Sequence, residues 1–153
     1  MTGYGYAGDI QPVAAAELAA DGNRIEYQRT SQSQDLSEWY VNDAHGLEQG
    51  FTLAAPPPSD IPDPKSEIIL ELALAGDLTP NLIEDGKAIE FTNPSGVHVL
   101  GYSDLDAYDA TGRSLSTRLH LVAANHTTRN SQQTVHITVN DTGAMYPIEI
   151  KSQ

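Results

Sequence analysis

Short runs of alternating apolar and polar residues, separated by Gly, Asn, Asp and Pro, constrain the fold of this chain more than any other feature. Successive side chains of a strand point to opposite faces, so this period-two pattern predicts half-buried β-strands. We expect about ten strands, at 24–29, 36–41, 49–55, 67–74, 87–92, 97–102, 104–109, 117–123, 133–139 and 145–150. The pattern predicts an all-β, mostly antiparallel sandwich of two packed sheets.

Three turn sequences strengthen this prediction. Asp21-Gly22-Asn23, Asp109-Ala110-Thr111-Gly112 and Asn140-Asp141-Thr142-Gly143 place Asn, Asp or Gly where a hairpin needs positive φ. In the second of them, Asp109 is expected to cap the turn through its own side chain. The Ala-rich segment 12–20 fits a helix by propensity, yet it runs into the first turn; we favour a strand arm there.

The length of 153 residues fits one domain, 1–153, with a core formed by its apolar strands. Segment 55–64 is dense in proline, which cannot enter a central strand, so we expect an exposed loop there. We place the turn of the aromatic hairpin at 42–49. The expected core contains Trp39, Tyr40, Phe51, Leu70, Leu72 and Tyr146.

Charge excludes some partners and leaves others open. The chain carries 8 basic and 21 acidic residues, a net charge of −13, which repels nucleic acid and anionic lipid surfaces. The chain has no Cys, which excludes disulfides and thiolate metal sites. No apolar run approaches the roughly 18 residues of a membrane span, so we expect no membrane insertion.

Three histidines share one sequence context and form a candidate metal site. His98, His120 and His136 each lie between two apolar residues of a predicted strand. If the last two strands of this set pair around a tip near Thr128, His120 and His136 come directly opposite one another, about 5 Å apart at Cβ. Two imidazoles, with His98 or a carboxylate, suit a divalent ion such as Zn²⁺. The alternative is a polar residue on the wet face of each strand.

A second candidate site is acidic. Asp104, Asp106 and Asp109 offer the oxygen ligands that Ca²⁺ prefers. Their spacing does not follow the EF-hand register, and the turn at Asp109 is the competing explanation. No sequence motif of catalysis is present, so we expect no enzyme and no obligatory cofactor.

The segments GNRIEYQR, LSEWYVNDAHGLEQGFTLAAPP, AYDATGRSL and VNDTGAMYPIEI closely resemble the N-terminal, non-repeat β-domain of large bacterial surface or secreted proteins that carry FG-GAP (integrin-like) or related β-propeller repeats. The resemblance covers most of the chain and is most specific at 38–42 and 46–51. It implies a β-sandwich without catalytic residues, at the cell surface or outside the cell, with a downstream repeat domain or another surface protein as partner.

The function expected from these observations is that of a non-catalytic structural or adhesion-type module of an extracellular bacterial protein. Two alternatives remain open. One is a carbohydrate- or metal-binding module that uses exposed aromatic residues or the three histidines. The other is a self-assembling surface subunit that associates through an unpaired edge strand.

Overall fold

The computed structural model describes residues 1–31, 35–59, 66–122 and 133–152. Within these ranges every regular element is a β-strand. The strands are β1 (Gly3–Tyr6), β2 (Asp9–Pro12), β3 (Glu17–Asp21), β4 (Arg24–Thr30), β5 (Asp35–Asp43), β6 (Gly46–Leu53), β7 (Glu67–Ala73), β8 (Thr79–Ile83), β9 (Ala88–Thr92), β10 (His98–Tyr102), β11 (Asp106–Tyr108), β12 (Thr117–Val122), β13 (Thr134–Asn140) and β14 (Ile148–Ser152).

The strands form three sheets in which all neighbours are antiparallel. A five-stranded sheet has the order β12-β13-β7-β1-β2, a six-stranded sheet the order β11-β14-β6-β5-β4-β3, and a three-stranded sheet the order β10-β9-β8. The predicted all-β antiparallel sandwich is confirmed, with a third, smaller sheet beside the two large ones.

The core lies between the five-stranded and six-stranded sheets. Side chains from both inner faces meet there with essentially no exposure. The six-stranded sheet contributes Phe51, Leu53, Ile148 and Ile150, and the five-stranded sheet contributes Ile68, Leu70, Leu119, Ile137 and Val139. Each contributes about 1.5–3 kcal/mol by leaving water, so this layer dominates the stability of the fold.

Every predicted strand overlaps an observed one, and segment 12–20 contains β3, as favoured. The sequence pattern missed β1, β2 and β8. The buried strand β1 reads Gly-Tyr-Gly-Tyr, in which no apolar run is visible. The edge strands β2 and β8 contain Pro12 and Pro80, and proline is tolerated there because each strand lies at the edge of its sheet.

The aromatic hairpin differs from the prediction in its turn. The segment 42–49 is mostly strand, because β5 continues to Asp43 and β6 begins at Gly46, which leaves only Ala44 and His45 between them. The predicted turn was therefore too long: the polar residues that suggested a loop belong to the exposed ends of two long strands.

The six predicted core residues differ in how deeply they are buried and on which face of their sheet they lie. Phe51 and Leu70 are in the core, and Leu72 and Tyr146 pack against it while partly buried. Trp39 is buried on the outer face of the six-stranded sheet. Its indole ring lies over Gly50, where a Cβ atom would overlap the ring. The guanidinium of Arg24 lies 4.5 Å from the ring centroid, and Nε1 donates to Thr52 Oγ1 at 3.2 Å. Tyr40 is half-buried and is described below.

Two of the three predicted hairpin turns are confirmed, because the segments on either side of each turn pair with one another. Gly22 and Asn23 join β3 to β4, and the 109–112 turn brings Tyr108 and Ser114 together as a bridge. The third prediction was wrong in its topology. Residues 140–143 do turn, but β13 belongs to the five-stranded sheet and β14 to the six-stranded sheet, so this segment crosses between sheets. Residues 55–59 of the Pro-rich segment lie outside the strands, and 60–65 are outside the described residues.

Candidate functional site

The three histidines of the predicted metal site are placed in two different sheets. His120 and His136 are register partners in the five-stranded sheet, as predicted. The predicted tip of their hairpin lies outside the described residues. His136 Nε2 lies 3.1 Å from Glu71 Oε2, on the next strand. His98 begins β10 in the three-stranded sheet and joins neither of the other two. In the part of the chain that the structure describes, no group of three or more His, Asp or Glu residues is arranged to hold a metal ion.

The aspartates of the predicted calcium site also lie in different environments. Asp106 is exposed on β11, while Asp109 is buried. Oδ1 of Asp109 accepts hydrogen bonds from the Thr111 backbone N–H, the Thr111 hydroxyl and the Arg113 N–H at 2.9, 2.6 and 3.1 Å. Oδ2 accepts from Met145 N–H at 3.1 Å. These bonds, that of the Thr111 hydroxyl first, hold the pKa of Asp109 well below its usual range. Asp109 caps the turn, as predicted.

A cavity of about 180 Å³ lies where the three sheets meet. Its apolar walls come from β7, β9 and β13, and its polar wall comes from β5, β6 and β10. The lining residues are Met1, Glu38, Tyr40, Gln49, Leu72, Ala73, Leu74, Ile89, Phe91, Tyr102 and Val135. A carboxylate beside two phenols and an amide, facing apolar side chains across a half-open pocket, is the arrangement of a small binding site.

The strand alternation explains why Glu38 faces this cavity. Glu38 is in phase with Leu36 and lies opposite Phe51 on β6, so it points to the inner face of the six-stranded sheet. Its side chain is buried, with only 4% of the residue exposed. A carboxylate is costly in such a position unless it is hydrogen-bonded or paired with a cation.

The two oxygens of Glu38 have different surroundings. Oε1 accepts a hydrogen bond of 2.6 Å from the Tyr40 hydroxyl and one of 3.1 Å from Gln49 Nε2. Oε2 accepts a longer hydrogen bond of 3.4 Å from Arg29 Nη1 and forms an ion pair with the Met1 nitrogen at 3.7 Å. Close neutral donors thus hold one oxygen, and two more distant cations approach the other.

Both phenols at the cavity are held in the protonated form. Burial, and next the hydrogen bond to Glu38, raise the pKa of Tyr40 far above its ordinary value. Burial raises the pKa of Tyr102 to about 12. The hydroxyls of Tyr102 and Ser152 lie near each other, and Ser152 opposes this pKa shift, but neither oxygen makes a hydrogen bond of good geometry with any described residue. Arg29 Nε is the third buried polar atom without such a bond.

The inner face of the six-stranded sheet continues past Glu38 to an uncovered surface. One cross-strand row runs from Phe51 through Glu38 and Tyr27 to Leu18 on the edge strand β3. Exposure rises along this row from 0% at Phe51 to 65% at Leu18. Ile25, in the next row, is 43% exposed. We call Leu18, Ile25 and Tyr27 the β3–β4 face.

Strand β3 itself is open on one side. All five of its residues are exposed, and among the residues that the structure describes it pairs only with β4. An edge strand of this kind offers unpaired N–H and C=O groups, and proteins usually protect such edges with Lys, Pro or a bulge. The sequence Glu-Leu-Ala-Ala-Asp of β3 contains neither Lys nor Pro, and its register with β4 is regular.

Comparison of the chain with protein-family models, with curated proteins and with solved structures finds no match. The resemblance to the β-domain of FG-GAP proteins therefore stays a hypothesis, and the candidate sites rest on the geometry above. No helix in the described ranges is long and apolar enough to cross a membrane.

Sequence reasoning did not single out the cavity, although one signal was present. Glu38 is a charged residue in phase with Leu36 and Tyr40, which the alternation places on one face. A charge in phase with apolar residues marks either the edge of a core or a site. Tyr102 carried no comparable signal, because it comes from a separate sheet whose position the sequence does not give.

Proposed function

We propose that the chain is a non-catalytic structural or adhesion-type module that binds a partner protein through its open edge. In this mode an extended segment of the partner adds a strand to β3, and its inward side chains cover the β3–β4 face. The single observation that carries the proposal is an exposed edge strand beside an apolar face that no described residue covers, both on the same sheet.

Charge supports a basic partner segment. Glu17 and Asp21 lie on β3, and the chain has 21 acidic against 8 basic residues. An added strand with Lys or Arg near these carboxylates gains cross-strand attraction, and long-range attraction speeds its encounter with the module.

The same charges disfavour a second copy of this chain as the partner. Two β3 strands paired antiparallel about Ala19 would place Glu17 of one copy opposite Asp21 of the other. Like charges directly opposite in a sheet are destabilising, and two bodies of charge −13 also repel at long range. Self-association is therefore the less favoured use of this edge.

An extracellular or cell-surface location and attachment to a downstream repeat region belong to the same proposal. They follow from the resemblance stated above and from the acidic composition, which suits a salty or calcium-containing exterior. A basic segment on the adjoining domain or on another surface protein would supply the strand.

The test uses a short peptide in which Lys and Val alternate, and a matched peptide in which Glu replaces Lys. We expect the basic peptide to bind and to slow amide hydrogen exchange in β3. Leu18→Asp should weaken this binding at least about tenfold, because it places a charge in the apolar contact. Leu47→Asp is the matched control, since Leu47 is 59% exposed on β6 outside the β3–β4 face.

Three outcomes would contradict the proposal: equal binding of the acidic peptide, protection outside β3, or equal effects of the two substitutions. A molecular mass that rises with concentration in light scattering, and that Leu18→Asp returns to the monomer value, would instead assign the edge to self-association.

A carbohydrate-binding role is the second candidate, and a separate cavity favours it. This cavity of about 230 Å³ is lined by Tyr108, Thr52 and Glu149 on the outer face of the six-stranded sheet, with Asp109, Ala110 and Pro147. Tyr108 is 37% exposed, so its ring is available to stack on a sugar, and the neighbouring oxygens can accept hydroxyl hydrogen bonds. Glycan-array binding that Tyr108→Ala abolishes would support this role; an array without binding would remove it.

A further inference from the structure

The outer face of the five-stranded sheet carries two histidines and a glutamate in one cross-strand row. His120 on β12 lies opposite His136 on β13, and His136 lies opposite Glu71 on β7. The neighbouring Leu119 and Ile137 are fully buried in the core, so the strand alternation directs the polar row to the outer face. His120 is exposed, and the other two members of the row are partly buried.

The hydrogen bond between His136 and Glu71 determines which ring nitrogen of the histidine keeps its lone pair. Nε2 of His136 lies 3.1 Å from Glu71 Oε2. An ionised carboxylate can only accept a hydrogen bond, so Nε2 carries the proton, and in the neutral ring the lone pair is on Nδ1. Glu71 Oε1 accepts a bond of 3.0 Å from the Thr2 hydroxyl, which holds the carboxylate in place. A histidine that binds a metal usually has such a carboxylate or carbonyl on its second nitrogen.

The register brings a second imidazole beside His136. Residues directly opposite each other in an antiparallel pair have Cβ atoms about 4.5–5.5 Å apart. A tetrahedral ion with metal–nitrogen bonds of about 2.0–2.1 Å holds two nitrogens about 3.3 Å apart. Two rings on adjacent strands reach this separation by converging. The exposed side chain of His120 has room to turn towards His136.

The charges around the row favour a cation. Glu71 contributes a negative charge, and the net charge of −13 raises the concentration of cations near the whole surface. Arg118 is the one basic residue besides His120 on this face of β12, and its aliphatic stem lies against Gly86 in the turn between β8 and β9. Imidazole nitrogens suit Zn²⁺, Cu²⁺ and Ni²⁺, whereas Mg²⁺ and Ca²⁺ prefer oxygen ligands.

We propose that His120 and His136 bind one divalent transition-metal ion such as Zn²⁺ on the outer face of the five-stranded sheet, and that Glu71 positions His136. Among the described residues no third His, Asp or Glu is arranged with these two to hold an ion, so water completes the coordination. His98 takes no part, because β10 belongs to the three-stranded sheet. The site shares no residue with the β3 edge, so the two proposals are tested separately.

The experiment is a calorimetric titration of the whole chain with Zn²⁺ in a buffer that contains excess Mg²⁺. The Mg²⁺ competes for carboxylate oxygens, of which this acidic chain has many, and it leaves the imidazoles to Zn²⁺. We expect one Zn²⁺ ion to bind per chain. Zn²⁺ should also raise the midpoint of thermal unfolding, because only the folded chain holds the two rings side by side.

Three variants locate the binding. His120→Ala removes one of the two protein ligands and should weaken Zn²⁺ binding at least about tenfold. Glu71→Gln keeps an oxygen that can accept from His136 but removes the charge, and it should weaken binding up to about tenfold. His98→Ala is the matched control, since it removes an equally exposed histidine from another sheet and should leave the affinity unchanged.

The proposal is overturned if His98→Ala weakens Zn²⁺ binding as much as His120→Ala does. It is also overturned if Zn²⁺ neither produces heat nor raises the thermal midpoint of the wild type, or if His120→Ala changes neither result. His120 is exposed on an edge strand, so its replacement leaves the fold intact and this variant decides. Unchanged affinity in Glu71→Gln would reject the role given to Glu71.

Discussion

Asp109 and Glu38 are both buried carboxylates, and the molecule treats them differently. Four donors reach Asp109 at 2.6–3.1 Å, three of them backbone N–H groups of a turn and of the segment before β14. Glu38 has two close neutral donors on one oxygen and two distant cations near the other. A carboxylate bound mainly by backbone N–H groups fixes a turn of the chain, whereas Glu38 is held at the cavity by side-chain donors and two cations.

Asp109→Ala should have the largest effect on stability. It leaves the N–H groups of Thr111, Arg113 and Met145 without their acceptor, and the 109–112 turn loses its cap. We expect the midpoint of thermal unfolding to fall by roughly 5 °C or more. Asp106→Ala, on the adjoining strand β11, is the control, because Asp106 is exposed and should shift the midpoint by less than about 2 °C. Equal shifts would show that Asp109 does not fix the turn.

Acid should remove the difference between wild type and Asp109→Asn. The folded-state pKa of Asp109 is lowered from its unfolded value, so its contribution is present above the unfolded pKa and is lost as the pH falls through the folded pKa. The gap in urea stability between the two proteins should be constant from about pH 7 to 5 and should shrink below about pH 4. A gap that persists at full size to pH 2 would contradict this assignment.

Asp109 was predictable from sequence and Glu38 was not, for a physical reason. Asp109 opens the stretch Asp-Ala-Thr-Gly, and a turn cap depends on groups within four residues of it. Hydrogen bonds of this kind, between residues close in sequence, can be predicted from the turn residues alone. The environment of Glu38 depends on Tyr102 and Val135, which lie in other sheets and are brought near by strand order.

In the rest of the fold, too, local features were predicted from the sequence and those that depend on sheet order were not. Alternation located ten strands, and it gave the pairing of His120 with His136 because their strands follow one another in the chain. It did not separate His98 from them, because only the sheet order places β10 elsewhere. It also treated residues 140–143 as a hairpin, since a turn looks the same whether the next strand stays in its sheet or crosses to another.

Glu38→Gln should have a smaller effect than Asp109→Ala. The glutamine retains an acceptor for the Tyr40 hydroxyl, while Arg29 loses its charged partner. We expect the free energy of unfolding to fall by about 1 kcal/mol, as measured by urea unfolding without ligand. If this substitution instead unfolds the domain, Glu38 is a structural carboxylate like Asp109, and the distinction between them fails.

Tyr102→Phe should have the smallest effect, with the opposite sign. The wild-type hydroxyl is buried without a hydrogen-bond partner among the described residues, so its removal should raise the free energy of unfolding by up to about 1 kcal/mol. Tyr146→Phe is the matched control, because that hydroxyl donates to Asp141 at 2.7 Å and its loss should cost about 1–2 kcal/mol. Equal losses in both variants would show that the hydroxyls of Tyr102 and Ser152 bond to each other in solution.

The alkaline range sharpens this last test. Burial raises the folded-state pKa of Tyr102 to about 12, and the neighbouring Ser152 hydroxyl opposes this shift. A raised pKa means that the contribution of the phenol is present below the unfolded pKa, about 10, and is lost as the pH rises through the folded one. The stability advantage of Tyr102→Phe over wild type should therefore widen between about pH 10 and 12. An advantage that stays constant across this range would mean that water reaches the Tyr102 hydroxyl.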